Sequence, residues 1–369
     1  MDTIASIWGV IDLPLYIFLV LNGLMLSASA LVYSERRVAA FIQERTGPNR
    51  VGPKGLLQPF ADVLKLIMKE DIRPALSNRF LHSAAPLIMV TVAMTTVAMI
   101  PFGRYAPGVF DGFLVVANVQ VGVLVVLALT SLSVYGITLA GWASNSKYSL
   151  LGGLRSSAQM ISYELSMGAA VISVVLLTGA TLWGDPRGLS ALSMTGIVEG
   201  QAAGWSLLGW NAIRNPVGFV LFVICAFAET NRAPFDLPEA EQELVGGYHT
   251  EYSGMKFGMF FLAEYVNMFV ASMVIATLFL GGYLVPFVDA PLSAALYDAD
   301  LGWLMAVIHV FTFLAKAAFC AFVFIWVRWT LPRFKYNQLM SLGWKYLLPI
   351  SVANIFVIAL GVILFKALT

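Results

Sequence analysis

Charge is scarce in this chain: only 12% of its 369 residues are Asp, Glu, Lys or Arg, while 59% are hydrophobic. A water-soluble domain of this length carries about a quarter charged residues, so an ordinary soluble fold is excluded. An excess of one sign is also missing. Twenty-two Lys and Arg against twenty-one Asp and Glu leave a net charge of +1, without the basic surplus that a nucleic-acid binder needs. Cysteine and histidine are nearly absent. Cys225 and Cys320 sit in separate apolar stretches with no CxxC or Cys/His spacing, and read as small packing residues. His82, His249 and His309 are scattered. The chain therefore offers few ligands for a metal or a redox centre. It also has no phosphate-binding loop, no dinucleotide fingerprint and no catalytic triad, so covalent chemistry by this chain alone is not indicated.

What the sequence has in abundance is long apolar runs. A spanning helix needs about 20 mostly apolar residues. Eight runs qualify, at 13–33, 84–102, 118–141, 161–183, 216–228, 257–287, 303–329 and 346–368. The expectation is an all-α, polytopic integral membrane protein with about eight transmembrane helices, forming a single membrane domain over 1–369. The fifth run is short and ends at Glu229, and the sixth is long enough to demand tilt. No basic segment precedes the first run and no small-residue cleavage site follows it, so it reads as a retained span.

Eight spans place both termini on one side. The segments 34–83, 142–160, 229–256 and 328–345 hold seventeen Lys and Arg, against four on the opposite side: Arg104, Arg187, Arg214 and Lys366. Positive residues stay inside. The large loops are thus expected to face the cytoplasm and the termini the outer, periplasmic side, most simply of a bacterial inner membrane.

The first large loop, 34–83, has its own pattern. In GLLQPFADVLKLIMKED the residues Leu56, Leu57, Phe60, Val63, Leu64, Ile67 and Met68 share one helical face, and Asp62, Lys65 and Lys69 the other. This predicts an amphipathic helix lying on the membrane surface or against a partner. The preceding RTGPNRVGPKG is too rich in Gly and Pro for helix or strand and reads as an ordered turn.

Charges inside spans are costly and mark function. Glu164 stands beside Tyr163 in the fourth span, Glu264 beside Tyr265 in the sixth, and Lys316 within the seventh. Glu35 and Arg36 close the first span, where a side chain snorkelling to water is an equal explanation. The loop after the fifth span, 229–256, concentrates Glu229, Asp236, Glu239, Glu241, Glu243 and Glu251 around a single Arg232. A solvated loop that starts a helix at Pro238 explains it in isolation. With Glu164 and Glu264 nearby in the membrane, a continuous protonatable network is the sharper alternative, since like charges share protons.

Several long strings together carry a family resemblance: SERRVAAFIQERTGPNRVGPKGLLQPFADVLKLIMKED, GWASNSKYSLLGGLRSSAQMISYE, AETNRAPFDLPEAEQELVGGYHTEYSGMKF, FLAEYVNM and FIWVRWTLPRFKYNQLM. They resemble the membrane subunit called H in bacterial respiratory complex I, and subunit 1 in mitochondria. The likeness runs from about Tyr33 to the last span.

The resemblance implies a function that periodicity could not. Family members form the heel of the membrane arm, where the hydrophilic arm docks, and build part of the quinone chamber of a proton-pumping NADH–quinone oxidoreductase. By motif match, Glu35, Arg36, Gly47, Pro48, Asn49, Arg50, Tyr163, Arg232 and Asp236 belong to the chamber and docking region. Glu164, Glu229, Glu239, Glu241, Glu243, Glu251, Glu264 and Lys316 belong to the proton link toward the antiporter-like subunits. Quinone is implied as substrate, with no covalently bound cofactor and no metal. Flavin and iron–sulfur clusters are implied only in partner subunits, and the lipid bilayer is the other partner. In one respect the chain departs from some members: the third span, Val119 to Leu139, contains no acid. Two rivals remain. One is the related subunit of a complex fed by ferredoxin or a deazaflavin, or of a membrane-bound hydrogenase. The other is a structural anchor for the hydrophilic arm.

Overall fold

The structure, a computed structural model, describes residues 2–104, 113–182, 189–202, 206–236, 246–298 and 301–368. The described residues form helices and no strand, with one antiparallel bridge between Arg104 and Phe113. In chain order the helices are α1 (Asp2–Ile42), α2 (Gln58–Met68), α3 (Arg79–Thr96), α4 (Gly122–Ala143), α5 (Lys147–Thr181), α6 (Met194–Ala202), α7 (Asn211–Arg214), α8 (Pro216–Glu229), α9 (Gly254–Phe279), α10 (Asp289–Asp298), α11 (Gly302–Thr330), α12 (Tyr336–Ser341) and α13 (Leu348–Leu368). A π-helical run, Leu342–Leu347, joins α12 to α13 without a break.

Seven described helices are long and apolar enough to cross a bilayer: Leu13–Ile42, Arg79–Met99, Gly122–Ala143, Lys147–Thr181, Gly254–Phe279, Gly302–Thr330 and Tyr336–Leu364. The expected short fifth span, 216–228, corresponds to α8, an apolar helix whose 14 residues rise about 21 Å, so it stands apart from those seven by length alone.

Three boundaries also differ from the hydropathy reading, each for a local reason. First, α5 starts at Lys147, so most of the expected loop 142–160 is helix. Its polar look comes from small residues that permit close packing. A Cβ on Gly153 would stand 3.4 Å from the Gly141 Cα. Nearby, Ser149 donates to the Tyr248 carbonyl at 2.9 Å and Ser156 to Asn231 Oδ1 at 3.2 Å. Second, α1 continues past Tyr33 to Ile42, carrying Glu35 onto a buried face. Third, α9 stops at Phe279 because Gly281 and Gly282 turn away at φ +71° and +51°, a conformation that glycine adopts without strain.

The first loop contains the expected helix, α2. It lies against α1 and α9, with Leu66 seated over Gly258. Leu64, Ile67 and Met68 face outward in the isolated chain. The turn before it is ordered by the chain itself. Tyr33 donates to the Lys54 carbonyl at 2.9 Å, and Gly55, at φ +77°, lies so close to the Pro48 carbonyl that a side chain there would collide with it. The core is formed where α3, α4, α5, α8 and α9 pack together, and α8 and α9 contribute Cys225, Ala226, Val266, Met273 and Phe279 to it. By contrast α1 and α13 keep Phe18, Leu26, Phe356 and Val357 exposed, as suits a lipid-facing surface.

Candidate functional site

The largest fully buried side chain among the described residues is charged: Arg232 is only 1% exposed. A lone buried guanidinium would be prohibitive, and a paired one is tolerated. Its Nη1 donates to Glu35 Oε2 at 3.0 Å, and its Nε faces Glu264 Oε1 at 2.8 Å. The other Glu35 oxygen accepts from Arg328 Nη1 at 2.7 Å. Two arginines and two carboxylates, from α1, the 230–236 loop, α9 and α11, thus close a neutral cluster. The guanidinium also lies 4.4 Å from the centre of the Tyr265 ring, a favourable placement for a cation. Burial works against the Arg232 charge, but Glu264 and Glu35 outweigh it, and its pKa is raised.

The backbone places Arg232 by a defined sequence of bonds. At the end of α8, Thr230 returns its hydroxyl to the Ala226 carbonyl at 2.9 Å, and Asn231 takes φ +51°. The Arg232 N–H then donates to Phe227 O at 3.2 Å, and Phe235 N–H to Arg232 O at 2.9 Å. From α5, the buried Gln159 amide clamps the turn, donating to the Ala228 and Phe235 carbonyls, both at 2.8 Å. Asp236, 3% exposed, follows and meets Arg333 Nη2 at 3.2 Å.

Beside this cluster lies a polar cavity with about 430 Å³ of empty space. Glu229, Asn231, Asp236, His249, Glu264 and Asn267 line it. Burial pushes the His249 imidazole down to about 4, so it is neutral at physiological pH. Glu164 stands next along α5 and accepts a hydrogen bond from Ser131 of α4, while Thr130 and Glu164 are the groups facing Glu229. The acid-free third span thus offers hydroxyls to two carboxylates.

The structure brings together Glu35, Arg232, Asp236, Glu229 and Glu264, with Glu164 adjacent. Other expected residues lie elsewhere. Arg36 forms a half-exposed ion pair with Asp62 at 2.6 Å, tying α1 to α2. Gly47, Pro48, Asn49 and Arg50 form the turn above α2, where a Cβ on Gly47 would stand 2.9 Å from the Arg37 side chain. Tyr163 is buried and donates to the Leu339 carbonyl at 2.9 Å, a packing role beside the site. Glu251 is half-buried and does not line the cavity. Glu239, Glu241 and Glu243 lie outside the described residues.

Lys316 is not brought to the acids. All three of its N–H groups are used, donating to the carbonyls of Leu280, Gly282 and Leu284 at 2.8, 2.9 and 2.7 Å. Leu280 follows Glu264 by sixteen residues of chain, about 24 Å of helix. Sequence reasoning also missed members of the site. Arg328 and Arg333 were legible only as sidedness markers, and Gln159, Asn267 and His249 carried no signal. Among the described residues no three His, Cys, Asp or Glu side chains come together in a way that could hold a metal ion.

Comparison with known proteins shows the family. A family model described as NADH dehydrogenase matches residues 15–359. NADH-quinone oxidoreductase subunit 8 of Rhodothermus marinus is 64% identical over 96% of this chain and 100% of its own length. The H subunit of the NADH-quinone oxidoreductase of Salinibacter ruber is 64% identical over 95% of this chain and 96% of its own length. The H subunit of the Rhodospirillum centenum enzyme is 49% identical over 89% and 87%. With nearly its full length matched in sequence and a helical membrane fold around buried, paired carboxylates, the chain belongs to the NADH dehydrogenase family as an H-type membrane subunit of a proton-pumping NADH–quinone oxidoreductase.

Proposed function

We propose that this chain forms one wall of the chamber in which quinone is reduced, and that the Glu35–Arg232–Glu264 cluster passes the consequence of reduction into the membrane. Arg36, Gly47, Pro48, Asn49, Arg50 and Tyr163 frame the chamber and the docking surface for the hydrophilic arm. Glu164, Glu229 and Glu264, with Asp236 and the acids of the 229–256 loop, carry protons toward antiporter-like partner subunits. Flavin and iron–sulfur clusters reside in the hydrophilic partners. The basic-rich loops face the cytoplasm of a bacterial cell and the termini the outer side. The outward-facing apolar residues of α2 meet lipid or the docked arm.

The observation that carries this reading is Arg232, buried and shared between carboxylates of two helices. One cation serving two anions makes the pair responsive. Protonating Glu264 frees the guanidinium to bind Glu35 alone, and removing that proton restores the bridge. Quinone reduction consumes protons and so draws on the carboxylates lining the polar cavity. A change of one pKa unit in such a group is worth about 1.4 kcal/mol, enough to bias a loop between two arrangements. Lys316 contributes by holding the far end of α9, the helix that carries Glu264.

The test uses the assembled complex in liposomes with Glu264→Gln and Glu229→Gln. The expected outcome is a quinone reductase rate at least tenfold lower, or retained reduction with fewer protons moved per electron. Wild-type rate with wild-type stoichiometry in both variants sinks the coupling role.

A further inference from the structure

Glu229 stands where two cavities meet. The polar one is described above. The second has about 710 Å³ of empty space and lies among α3, α4, α5, α8 and α9. Glu229, Thr230 and Asn267 line both. Along α9 the lining of the second cavity runs from Asn267 through Val270 and Val274 to Leu278, about 16 Å of helix rise. Polar groups gather at the Glu229 end, where Thr130 and Ser133 join it. Beyond them the wall is mostly apolar, formed by Val92, Val123, Val126, Phe222, Val274 and Met194, with Thr96, whose hydroxyl is turned to the Val92 carbonyl, among them.

The far end meets α6. Its first residue, Met194, lines the cavity, and the same short helix carries Glu199, 5% exposed. Glu199 accepts a hydrogen bond from Tyr283 at 2.7 Å, and its other oxygen lies 3.8 Å from the half-exposed Arg104 guanidinium. Beside it the Arg104 N–H donates to His309 Nδ1 at 3.3 Å, and His309 Nε2 faces Asp289 at 3.2 Å. Glu199 does not itself line the cavity; it follows Met194 by five residues on the same short helix, and the half-exposed Arg104 beside it reaches solvent. The established role of the chain assigns nothing to this second cluster.

An apolar passage between two polar stations behaves as a gate. Water enters it reluctantly, and a hydrophobic constriction conducts only while wetted. We propose that this cavity is a hydration-gated proton path through the chain itself, leading from Glu229 to Glu199. The inference rests on the reading of Glu229 as a proton carrier. When the cavity fills, the O–H bond of the Glu229 carboxylic acid breaks, and an excess proton moves along the water file. A new O–H bond forms at the Glu199 carboxylate. No electron moves. Glu199 releases its proton past Arg104, and Glu229 is recharged from the polar cavity. The isosteric polarity of Val274→Thr lowers the cost of wetting, and Val126→Ser does so from the opposite wall.

The test is a leak measurement on the assembled complex in liposomes with a pH-sensitive dye inside and neither NADH nor quinone added. Under an imposed pH gradient, Val274→Thr and Val126→Ser are expected to leak protons at least tenfold faster than wild type. Adding Glu229→Gln to either is expected to close the leak. In a turnover assay, Val126→Phe is expected to keep quinone reduction and lower the protons moved per electron. Glu199→Gln, smaller in its structural effect, is expected to do the same. Polarised variants that hold the gradient as wild type does, together with wild-type stoichiometry in Glu199→Gln, overturn the proposal. An acyl chain lodged in the cavity of the assembled complex overturns it as well. The leak is read without turnover, so its absence leaves the quinone-coupling reading standing, and failure of that reading shows instead in the turnover of Glu229→Gln.

Discussion

Arg232 concentrates the electrostatic risk of the whole fold in one side chain. Replacing it by Met leaves Glu264 buried without its cation, a change that costs about 3–5 kcal/mol where a buried pair loses one partner. Arg232→Met is therefore expected to lower the yield of assembled complex and its thermal midpoint, while Arg232→Met with Glu264→Gln recovers part of both. An Arg232→Met complex that assembles and melts as wild type contradicts this account. At this scale the sequence was partly legible. Glu264 and Lys316 announce themselves because charge in an apolar run is expensive. What the two do differs, and the sequence cannot separate them. The partners of Lys316 are backbone carbonyls, which every residue owns and no motif encodes. Arg328 sits near a span end, where a basic residue also reads as an interfacial anchor, so its bond to Glu35 stayed hidden.

Helix α9 is fixed at its far end by donors from three other segments. Lys316 takes three carbonyls, Asn211 the Leu278 carbonyl at 2.8 Å, and Gln201 the Thr277 carbonyl at 2.9 Å. Lys316→Met removes three hydrogen bonds, each worth roughly 0.5–1.5 kcal/mol, and strands their acceptors. The expectation is a loss of about 3 kcal/mol or more in the thermal stability of the complex, with proton-to-electron stoichiometry unchanged in whatever assembles. A selective loss of stoichiometry at wild-type stability would instead place Lys316 on the proton route. Hydropathy found the long helices because their apolar runs exceed the bilayer thickness. It found α8 as well, a helix as apolar as the others and set apart from them by its length. It missed α6, too short to register, and so missed Glu199. It read the start of α5 as loop, because glycine and serine serve helix contacts as readily as turns.

For the molecule as a whole, acid should loosen the turn around His249 first. His249 has its pKa lowered to about 4 by burial, against about 6.5 in an unfolded chain. The unfolded state therefore binds more protons between those values, and stability falls as pH drops from about 6.5 toward 4. Thermal unfolding of the complex over that window should show this slope, and His249→Gln should flatten it; an unchanged slope in the variant refutes the assignment. Family membership was readable because long strings such as ERTGPNRVGP and ETNRAPFDLPE persist unbroken, and the second of them supplies both Arg232 and Asp236 to the buried cluster. The shortness of α8 has a further consequence. Fourteen residues carry the chain from its start to Glu229, about 21 Å of rise against a hydrocarbon core of roughly 30 Å, so in the proposed proton role that carboxyl holds its proton partway through the electric field of an energised membrane. Carrying one charge through the full field is worth about 2.3 kcal/mol per 100 mV. A proton arriving at Glu229 has thus done only part of that electrical work, and its residence there varies with the voltage that the complex itself builds.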